Sequence, residues 1–394
     1  MPVTLPPLSL YVHLPWCVRK CPYCDFNSHE RAGKLPEEAY LAALLADLEG
    51  ELADIQGRRI SSIFFGGGTP SLLSAPFYQQ FLDQLRSRDL LSADCEITLE
   101  ANPGTLEQGR FEGYRAAGIN RLSIGVQSFN ATHLEKLGRI HGRDEALRAA
   151  RAARAAGFDN FNLDLMHGLP GQTPEQALTD LKMAIDLEST HLSWYELTIE
   201  PNTVFWSRPP QQPDEDTMAD IEESGFALLA RAGFARYEVS AFSQPGQPCR
   251  HNLNYWQFGD YLGIGAGAHG KITRPDNNRI LRYRKTRKPE DYLAEGGSAR
   301  RGEQDIHGGS RISEFMLNAL RLVEGVPANS LEAYTGIRPE QVAETLAESR
   351  RLGLLRDDPD RLVCTPRGLT HLNRTLELWL ALEDQTAISV MNAT

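Results

Sequence analysis

Short apolar segments alternate along the chain with longer amphipathic ones. The apolar segments are rich in β-branched and aromatic residues and predict strands at 9–13, 61–65, 96–99, 121–124, 161–166 and 192–199. Between them, apolar positions recur at helical spacing over 37–52, 77–86, 106–117, 144–156 and 174–187. Alternation of this kind predicts parallel strands joined by right-handed helical crossovers, either as a doubly wound sheet or as a barrel. The chain contains about six such units, fewer than the eight of a full barrel.

A Pro-rich run at 206–216 ends this repetition, and a different pattern follows. We predict a helix at 214–232, a strand at 237–242 and a tight glycine-rich stretch at 263–268. From about residue 310 the pattern predicts helices at 314–322, 329–334, 339–352 and 367–382, with a two-stranded wing at 354–363. The expected architecture is α/β: a partial barrel over 1–240, a small α+β linker segment over 241–305 and a winged-helix-like domain over 306–394.

Charge and hydropathy exclude several classes of function. The 394-residue chain has a formal net charge of −11, so its surface as a whole repels phosphate backbones, and we expect no nucleic-acid partner. Apolar windows are interrupted well before the about 18 residues that a membrane helix needs. The amino terminus lacks the basic and apolar regions of a secretory signal. We therefore expect a cytoplasmic protein.

Three of the six cysteines are clustered directly after the first predicted strand. Cys17, Cys21 and Cys24 have the spacing C-x-x-x-C-x-x-C, whereas Cys95, Cys249 and Cys364 are scattered. Three thiolates in such a loop can bind three corners of an iron–sulfur cubane. Zinc is a weaker alternative because no second paired arm follows, and a purely structural role, disulfide pairing included, is weaker still. With three protein ligands, one iron of the cluster stays open to another ligand.

Polar residues and a glycine run fall at the ends of the following predicted strands. Gly66, Gly67 and Gly68 come directly after the second strand, where backbone groups can approach a ligand closely. Glu100 and Asp164 lie at or near later strand ends, as does Gln127. Barrel active sites collect their polar residues at this edge. Each residue alone is compatible with an ordinary loop or core hydrogen bond, but as an ordered set they indicate a ligand site.

The cysteine loop resembles the signature of the radical S-adenosylmethionine (SAM) superfamily, with an aromatic residue, Tyr23, just before the third cysteine. The resemblance implies a partial (β/α)6 barrel and a [4Fe-4S] cluster held by Cys17, Cys21 and Cys24. It also implies that the open iron chelates the amino and carboxylate groups of SAM.

Over the whole chain the pattern resembles the coproporphyrinogen dehydrogenase (HemN)-like branch of that superfamily, including the branch's carboxyl-terminal domain. The residues that this resemblance assigns to SAM are Tyr11, Tyr23, Gly67, Gly68, Thr69, Glu100, Gln127, Arg139 and Asp164. The chemistry suits the assignment, because the two carboxylates and Gln127 can bond ribose hydroxyls and the amine. Arg139 can pair with the carboxylate of SAM.

Two features favour a haem chaperone of this branch over the dehydrogenase. In the dehydrogenase a fourth cysteine stands two positions after the third, whereas here Asp25 and Phe26 follow Cys24. The motif H-N-x-x-Y-W, formed by His251, Asn252, Tyr255 and Trp256, resembles the haem-binding motif of the chaperones. Porphyrin oxidation is accordingly not expected, although an oxygen-independent dehydrogenase remains the alternative. A radical SAM enzyme acting on an unrelated substrate is a third interpretation.

In the chaperone interpretation haem is the cargo, and its recipients are apo-haemoproteins such as respiratory cytochromes, which requires at least transient membrane contact. His251 can bind the haem iron, Tyr255 and Trp256 can cover the porphyrin, and Asn252 can orient the ring. Cys249 is the rival axial ligand, and simple packing is the alternative for the motif. The basic run 279–288 can meet haem propionates, an anionic membrane or a partner, or form a solvated face.

Two further histidines, His13 and His167, stand at predicted strand ends. We expect them to be hydrogen-bonded walls of the site rather than acid–base residues, because nothing in the sequence pairs them with a carboxylate.

Overall fold

The computed structural model describes residues 3–31, 33–104, 109–297 and 300–380. Its main feature is a 12-stranded sheet. Six consecutive strands of the sheet run parallel, which confirms the predicted α/β architecture with six units. They are β1 (Leu8–Leu14), β2 (Ile60–Gly67), β3 (Leu91–Ala101), β4 (Arg121–Gln127), β5 (Phe161–His167) and β6 (His191–Glu196). The last strand ends earlier than the predicted 192–199.

Helices follow these strands because their buried positions recur at helical spacing. In one of them Ala146, Ala149, Ala150 and Ala153 form the buried face, and in another Thr173 caps the amino terminus by accepting a hydrogen bond from the backbone of Gln176. The helices of this part of the chain are Glu37–Glu51, Ala75–Ser87, Phe111–Ala117, Ala131–Lys136, Arg143–Ala155, Pro174–Asp186, Val204–Ser207 and Glu215–Arg231, with short 3-10 helices Leu52–Ile55 and Pro70–Leu72. The start of the helix predicted at 106–117 lies partly outside the described residues.

The carboxyl ends of the parallel strands meet at one edge of the sheet. In the ladder between β1 and β2, Leu14 is opposite Gly67, and in the ladder between β3 and β4, Glu100 is opposite Ser123. Asp164 on β5 pairs with Gly125 on β4. The register therefore brings the strand-end residues of the sequence analysis to a common edge.

Residues 235–305 extend the same sheet at both sides. Strands β7 (Ala235–Glu238) and β8 (Ala241–Ser243) join at β6, whereas β9 (Asp260–Ile264), β10 (His269–Arg274), β11 (Arg279–Lys285) and β12 (Arg300–Asp305) join at β1. Strand β9 runs parallel to β1, and the next three strands run antiparallel. The strand predicted at 237–242 is wrong in detail, because a turn at Val239 and Ser240 splits the segment into two antiparallel strands. Helices Arg250–Trp256 and Pro289–Ala294 and the 3-10 helix Pro275–Asn277 connect these strands.

Buried ion pairs fix this extension to the first helix and join two of its own strands. Lys285 at the end of β11 lies 2.5 Å from Asp47 and 2.8 Å from Glu51 on the first helix, with no exposed side-chain surface of its own. Lys271 on β10 binds Asp260 at 3.0 Å, and both side chains are buried. Buried charges are tolerated only when they are paired in this way, so the pairs fix β11 to the first helix and β10 to β9.

The carboxyl-terminal part has a second apolar core, in which Phe315, Met316 and Trp379 are buried. Its helices are Gly308–Ala319, Asn329–Thr335, Ala343–Arg351 and Pro366–Thr370, with a 3-10 helix Pro339–Val342, and the chain is again helical over 372–380. The predicted wing differs in its partner, because Arg361–Leu362 pairs with Val326–Pro327. The hairpin predicted at 354–363 is reduced to a single bridge, which joins Leu355 to Cys364, one residue beyond the predicted range. The end of the predicted last helix, beyond residue 380, lies outside the described residues.

Across the described ranges, every helix is either too short or too polar to span a bilayer.

Candidate cofactor and ligand cavities

The three clustered cysteines line one cavity at the carboxyl edge of the sheet. Cys17 ends a short strand, Trp16–Cys17, that pairs with His29–Glu30, and the backbone N–H of Cys24 donates to the carbonyl of Cys21. All three thiols are free, and the cavity that they line has a volume of about 510 Å³. We call it the cluster cavity.

The glycine run at the end of β2 lies in close contact with the segment that leads into the cysteine loop. The N–H of Gly68 donates to the carbonyl of Leu14, and that of Thr69 donates to the carbonyl of Trp16. A Cβ on Gly68 would lie 2.5 Å from the Trp16 carbonyl oxygen, so only glycine allows this approach. The Thr69 hydroxyl reaches Cys17 Sγ at 3.5 Å.

Arg139 connects the cysteine loop to the ends of two strands. One of its nitrogens lies 3.6 Å from Cys21 Sγ, and another donates to Asn102 Oδ1 at 2.8 Å and to the Gly125 carbonyl at 2.7 Å. Asn102 in turn donates to the Thr69 hydroxyl at 3.0 Å. A guanidinium held this way places positive charge beside the Cys21 sulfur, where it would offset the negative charge of a bound cluster.

The donor set fits a [4Fe-4S] cluster. Burial raises the pKa of the Cys17 and Cys24 thiols, so they are protonated unless a metal or a cation stabilises the thiolate. In the described part of the chain no three acidic, histidine or cysteine side chains converge closely enough to hold a single metal ion. A cubane needs no such convergence, because each cysteine binds a different iron. When bound, a cluster of this kind would supply a one-electron redox centre with one open coordination position.

Two carboxyl groups face the cluster cavity from β3 and β5. Burial and the neighbouring Asp164 raise the pKa of Glu100 to about 8, and burial raises the pKa of Asp164 itself. Glu100 accepts a hydrogen bond from the backbone of Gly67, and Asp164 accepts from Ser123 and Asn162. Two buried carboxyls that resist ionisation are suited to a cationic ligand, and the amine and sulfonium of SAM are cationic.

Eight of the nine residues assigned to SAM by resemblance line the cluster cavity together. They are Tyr23, Gly67, Gly68, Thr69, Glu100, Gln127, Arg139 and Asp164. Gln127 adopts a left-handed backbone conformation with φ of 68° and accepts a hydrogen bond from Tyr195 at 2.7 Å. The ninth residue, Tyr11, lines a different cavity and donates or accepts a hydrogen bond with His13 Nδ1 at 3.0 Å.

That second cavity, which we call the side cavity, lies between the end of β1 and the strands β10 and β11. Its volume is about 460 Å³, within the usual range for small-molecule sites. It is lined by Tyr11, His13, Asp25, Phe26, Asn27, Gly67, Glu100, Tyr255, Tyr261, Gly267, His269, Arg284 and Arg287. Four of these, Asp25, Phe26, Gly67 and Glu100, also line the cluster cavity. The two cavities therefore share a wall.

His251 faces neither cavity. It is 1% exposed, its Nδ1 lies 3.0 Å from the Ser62 hydroxyl, and its Nε2 lies 3.0 Å from the Tyr255 hydroxyl. Its ring stacks on Phe64 with the centroids 5.1 Å apart, and burial lowers its pKa to about 3. In this geometry both ring nitrogens are hydrogen-bonded, and binding of iron by His251 would break at least one of these bonds.

Cys249 is equally inaccessible. It is 1% exposed, its Sγ lies 3.6 Å from a carboxylate oxygen of Glu96, and burial raises its pKa to about 12. The other motif residues lie apart: Tyr255 lines the side cavity, whereas Asn252 and Trp256 line the cluster cavity. The motif thus forms a helix between the two cavities rather than one surface.

Sequence reasoning missed several polar residues of these cavities. Asn102, Ser123 and Tyr195 contribute hydrogen bonds to the cluster cavity, and no motif indicated them. His269 of the side cavity was also missed, but Arg284 and Arg287 beside it fall within the basic run that the sequence left unassigned. The basic run 279–288 was therefore the sequence signal that could have indicated the side cavity.

The expectation for His13 is confirmed, because its Nε2 pairs with the Asn27 carbonyl at 2.9 Å and its Nδ1 pairs with Tyr11. The expectation for His167 is wrong, because this residue lines neither cavity. The His167 ring packs on Trp194 with the centroids 4.4 Å apart, but its buried Nδ1 has no hydrogen-bond partner in the structure.

Comparison with known proteins agrees with this geometry. Residues 11–184 match the radical SAM superfamily, and residues 310–371 match the HemN C-terminal domain. The structure of coproporphyrinogen III oxidase (HemN) from Escherichia coli superposes with a TM-score of 0.79 at 25% identity, covering 95% of this chain and 90% of that one. Fold and site together define a radical SAM protein.

Full-length relatives identify the family more narrowly. "Heme chaperone HemW" of Escherichia coli strain K12 is 53% identical over 379 residues, covering 96% of this chain and all of that protein. "Heme chaperone HemW" of Haemophilus influenzae is 49% identical over 383 residues, covering 96% of this chain and 99% of that one. The chain belongs to the HemW family.

Proposed function

We propose that this protein is a haem chaperone that binds haem and transfers it to apo-haemoproteins, respiratory cytochromes among them. It carries a [4Fe-4S] cluster on Cys17, Cys21 and Cys24 and holds SAM at the strand ends. The proposal includes a cytoplasmic location with transient membrane contact when the recipient is a membrane cytochrome.

One observation carries the proposal: the cysteine-lined cavity and an aromatic, basic cavity share the wall formed by Asp25, Phe26, Gly67 and Glu100. A flat apolar molecule bearing carboxylates suits the second cavity, because Tyr11, Tyr255 and Tyr261 supply ring surface and its arginines supply cations. Because the wall is shared, a ligand in one cavity can contact the same residues as a ligand in the other.

The chain's own residues explain how SAM is oriented in the proposal. Glu100 and Asp164 would bind the amine and sulfonium, and Arg139 would bind the carboxylate or the cluster thiolates. Tyr195 fixes the amide of Gln127 by donating to its carbonyl oxygen, which leaves the amide N–H groups free to donate to the ligand.

The oxygen-independent coproporphyrinogen dehydrogenase is the second candidate, because the HemN fold extends over almost the whole chain. Against it, Phe26 stands where the dehydrogenase branch has its fourth cysteine. Its side chain is 59% exposed and lines both cavities. Phenylalanine there offers apolar contact area and no thiol.

The decisive experiment uses anaerobically purified full-length protein, analysed for iron, sulfide and haem transfer in parallel. We expect about four iron and four sulfide per chain, and transfer of bound haem to a defined apo-cytochrome, followed by the Soret spectrum of the recipient. Cys21→Ala should lose the cluster, whereas Cys364→Ala, a buried cysteine of the carboxyl-terminal core, should retain it.

Two outcomes would contradict the proposal. Zinc in place of iron would remove the cluster, and conversion of coproporphyrinogen to protoporphyrinogen with SAM and a reductant would establish the dehydrogenase instead. A third outcome, cleavage of SAM without either porphyrin activity, would favour an enzyme with an unrelated substrate.

A further inference from the structure

The side cavity contains a histidine that the described structure leaves without a hydrogen-bond partner. His269 begins β10, its side chain is exposed, and among the described residues none forms a hydrogen bond with its ring. The other histidine of the cavity, His13, has both ring nitrogens bonded. None of the described residues that line the cluster cavity is a histidine. His269 is therefore the imidazole with a free lone pair beside either cavity.

Two arginines stand next to this histidine. His269 on β10 is directly opposite Arg284 on β11 in an antiparallel ladder, so the two side chains project from the same face of the sheet. Arg287 follows in the loop after β11 and lines the same cavity. Both guanidinium groups are on exposed residues and form no ion pair with any described acid, so their charge is available to an anionic ligand.

The acids and rings of the cavity lie on its other sides. Asp25 and Glu100 belong to the wall shared with the cluster cavity. Tyr255 and Tyr261 pack edge to face with their centroids 4.6 Å apart, and both rings are partly exposed to the cavity. A ligand that is flat and apolar with carboxylates on one side fits this distribution.

Two contacts hold the arginine loop in place. Asn27, three residues after Cys24, donates to the carbonyl of Arg287 at 2.8 Å and to the carbonyl of Ala266 at 3.0 Å. A Cβ on Gly267 would lie 2.1 Å from the Asn27 amide nitrogen, so the loop and the cysteine segment are in tight contact. The position of the arginine loop is thereby coupled to the segment that carries the cluster ligands.

We propose that His269 is the axial ligand of the haem iron in the side cavity, and that Arg284 and Arg287 bind the haem propionates. This inference rests on the proposed function, since it names how that function holds its cargo. His251 then acts as a positioning residue, because its Nε2 pairs with the hydroxyl of Tyr255.

The first test measures ligation directly. Full-length protein and its His269→Ala variant are titrated with ferric haem, and the Soret band, the electron paramagnetic resonance spectrum and the affinity are recorded. We expect the variant to lose the imidazole-ligated signal, to bind about tenfold more weakly and to regain the signal with added imidazole. Because no described residue forms a hydrogen bond with the His269 side chain, its replacement is not expected to unfold the protein.

Two control variants make the result specific. His307→Ala removes an exposed histidine outside both cavities and should leave the spectrum and affinity of the wild type. His251→Gln retains hydrogen-bonding groups near Ser62 and Tyr255, and we expect it to alter affinity while the imidazole-ligated signal remains.

The second test concerns the propionates. Arg284→Gln and Arg287→Gln should each weaken haem binding by about tenfold, the loss expected for one charge-assisted contact. Neither should weaken binding of haem dimethyl ester, in which both carboxylates are neutralised. An equal loss for haem and its ester would contradict the role of the arginines.

The outcomes separate this inference from the function on which it rests. If the wild type fails to bind haem at one site per chain, the proposed function fails. If it binds haem and His269→Ala keeps the same spectrum and affinity, only this inference fails. Loss of the imidazole signal in His251→Gln, with His269→Ala unchanged, would assign the iron to His251.

Discussion

Glu100 and Asp164 face the same cavity from two strands, and the charge of Asp164 raises the pKa of Glu100. Glu100 stands opposite Ser123 in one ladder, and Ser123 donates a hydrogen bond to Asp164 at 2.9 Å. The register of three adjacent parallel strands thus creates a pair of carboxyls that are both disfavoured as anions. A cationic ligand between them would favour the ionised form of both carboxyls.

Binding of SAM should release a proton from Glu100. With a pKa of about 8 the carboxyl is mostly protonated at pH 7, and a nearby ammonium or sulfonium lowers that pKa, so the proton passes to the buffer. Calorimetric titrations with SAM at pH 7, in two buffers of different ionisation enthalpy, should differ by close to one proton per site. Glu100→Gln should remove most of the difference, and identical heats for the wild type in both buffers would contradict the assignment.

Gly68→Ala should destabilise the protein and impair cluster binding. The added Cβ would lie 2.5 Å from the Trp16 carbonyl oxygen, which accepts the N–H of Thr69, so the backbone before Cys17 must move. We expect a loss of about 1–3 kcal/mol in the free energy of unfolding, measured by urea denaturation, and a lower iron content after reconstitution.

Gly50→Ala is the matched control for that substitution. Gly50 lies inside the helix Glu37–Glu51, and a Cβ there would have no atom within 4 Å. Helix propensity predicts a gain of about 0.5–1 kcal/mol for this change. An equal loss of iron in both variants would show that the approach of Gly68 to Trp16 is unimportant for the cysteine loop.

Much of the fold and of the cluster cavity could be predicted from the sequence, because the information is local. Cys17, Cys21 and Cys24 lie within one loop, and Glu100, Gln127 and Asp164 each come at or near the end of a strand with a clear apolar pattern. Parallel strands bring such ends to the same edge, whatever the details of packing.

The side cavity could not be predicted in the same way. It exists because β9 pairs in parallel with β1, with Tyr11 opposite Gly263, and no local pattern indicates a pairing across 252 residues. The direction of the His251 ring is likewise decided by Ser62 and Phe64, which lie on a distant strand. A sequence motif can indicate a helix and the residues that it carries. Which cavity each side chain lines, however, depends on contacts with residues that are distant in the sequence.

Lys285→Met should lower the free energy of unfolding by about 3–5 kcal/mol, because it leaves the buried Asp47 without a cation and leaves Glu51 with Arg300 alone. Asp47 and Glu51 lie 2.5 and 2.8 Å from the ammonium, and both are nearly inaccessible to water. The loss should appear in urea denaturation. Arg301→Met, which breaks a pair with the partly exposed Glu295, should change stability by less than about 1 kcal/mol. If Lys285→Met also changed the free energy of unfolding by less than about 1 kcal/mol, the ion pairs would not fix β11 to the first helix.

Asp180 should make the protein less stable as the pH rises from about 4 to 6. Burial raises the pKa of this carboxyl from 3.8 to about 6 in the folded state, although it accepts hydrogen bonds from the Ser128 hydroxyl and the Phe129 backbone. The folded protein therefore binds more protons than the unfolded chain within this window. The stabilisation by the proton is complete below pH 3.8, the unfolded value, and is lost as the pH rises through about 6.

Comparison with Asp180→Asn isolates this contribution. The asparagine keeps an acceptor for the Phe129 N–H and cannot titrate, so the wild type should lose up to about 3 kcal/mol relative to the variant across the window. Urea denaturation at half-unit pH steps provides the measurement, with Asp186→Asn at the exposed end of the same helix as the matched control. A stability difference between wild type and Asp180→Asn that is constant from pH 4 to 7 would mean that the carboxyl titrates alike in the folded and unfolded chains, and that the hydrogen bonds from Ser128 and Phe129 offset its burial.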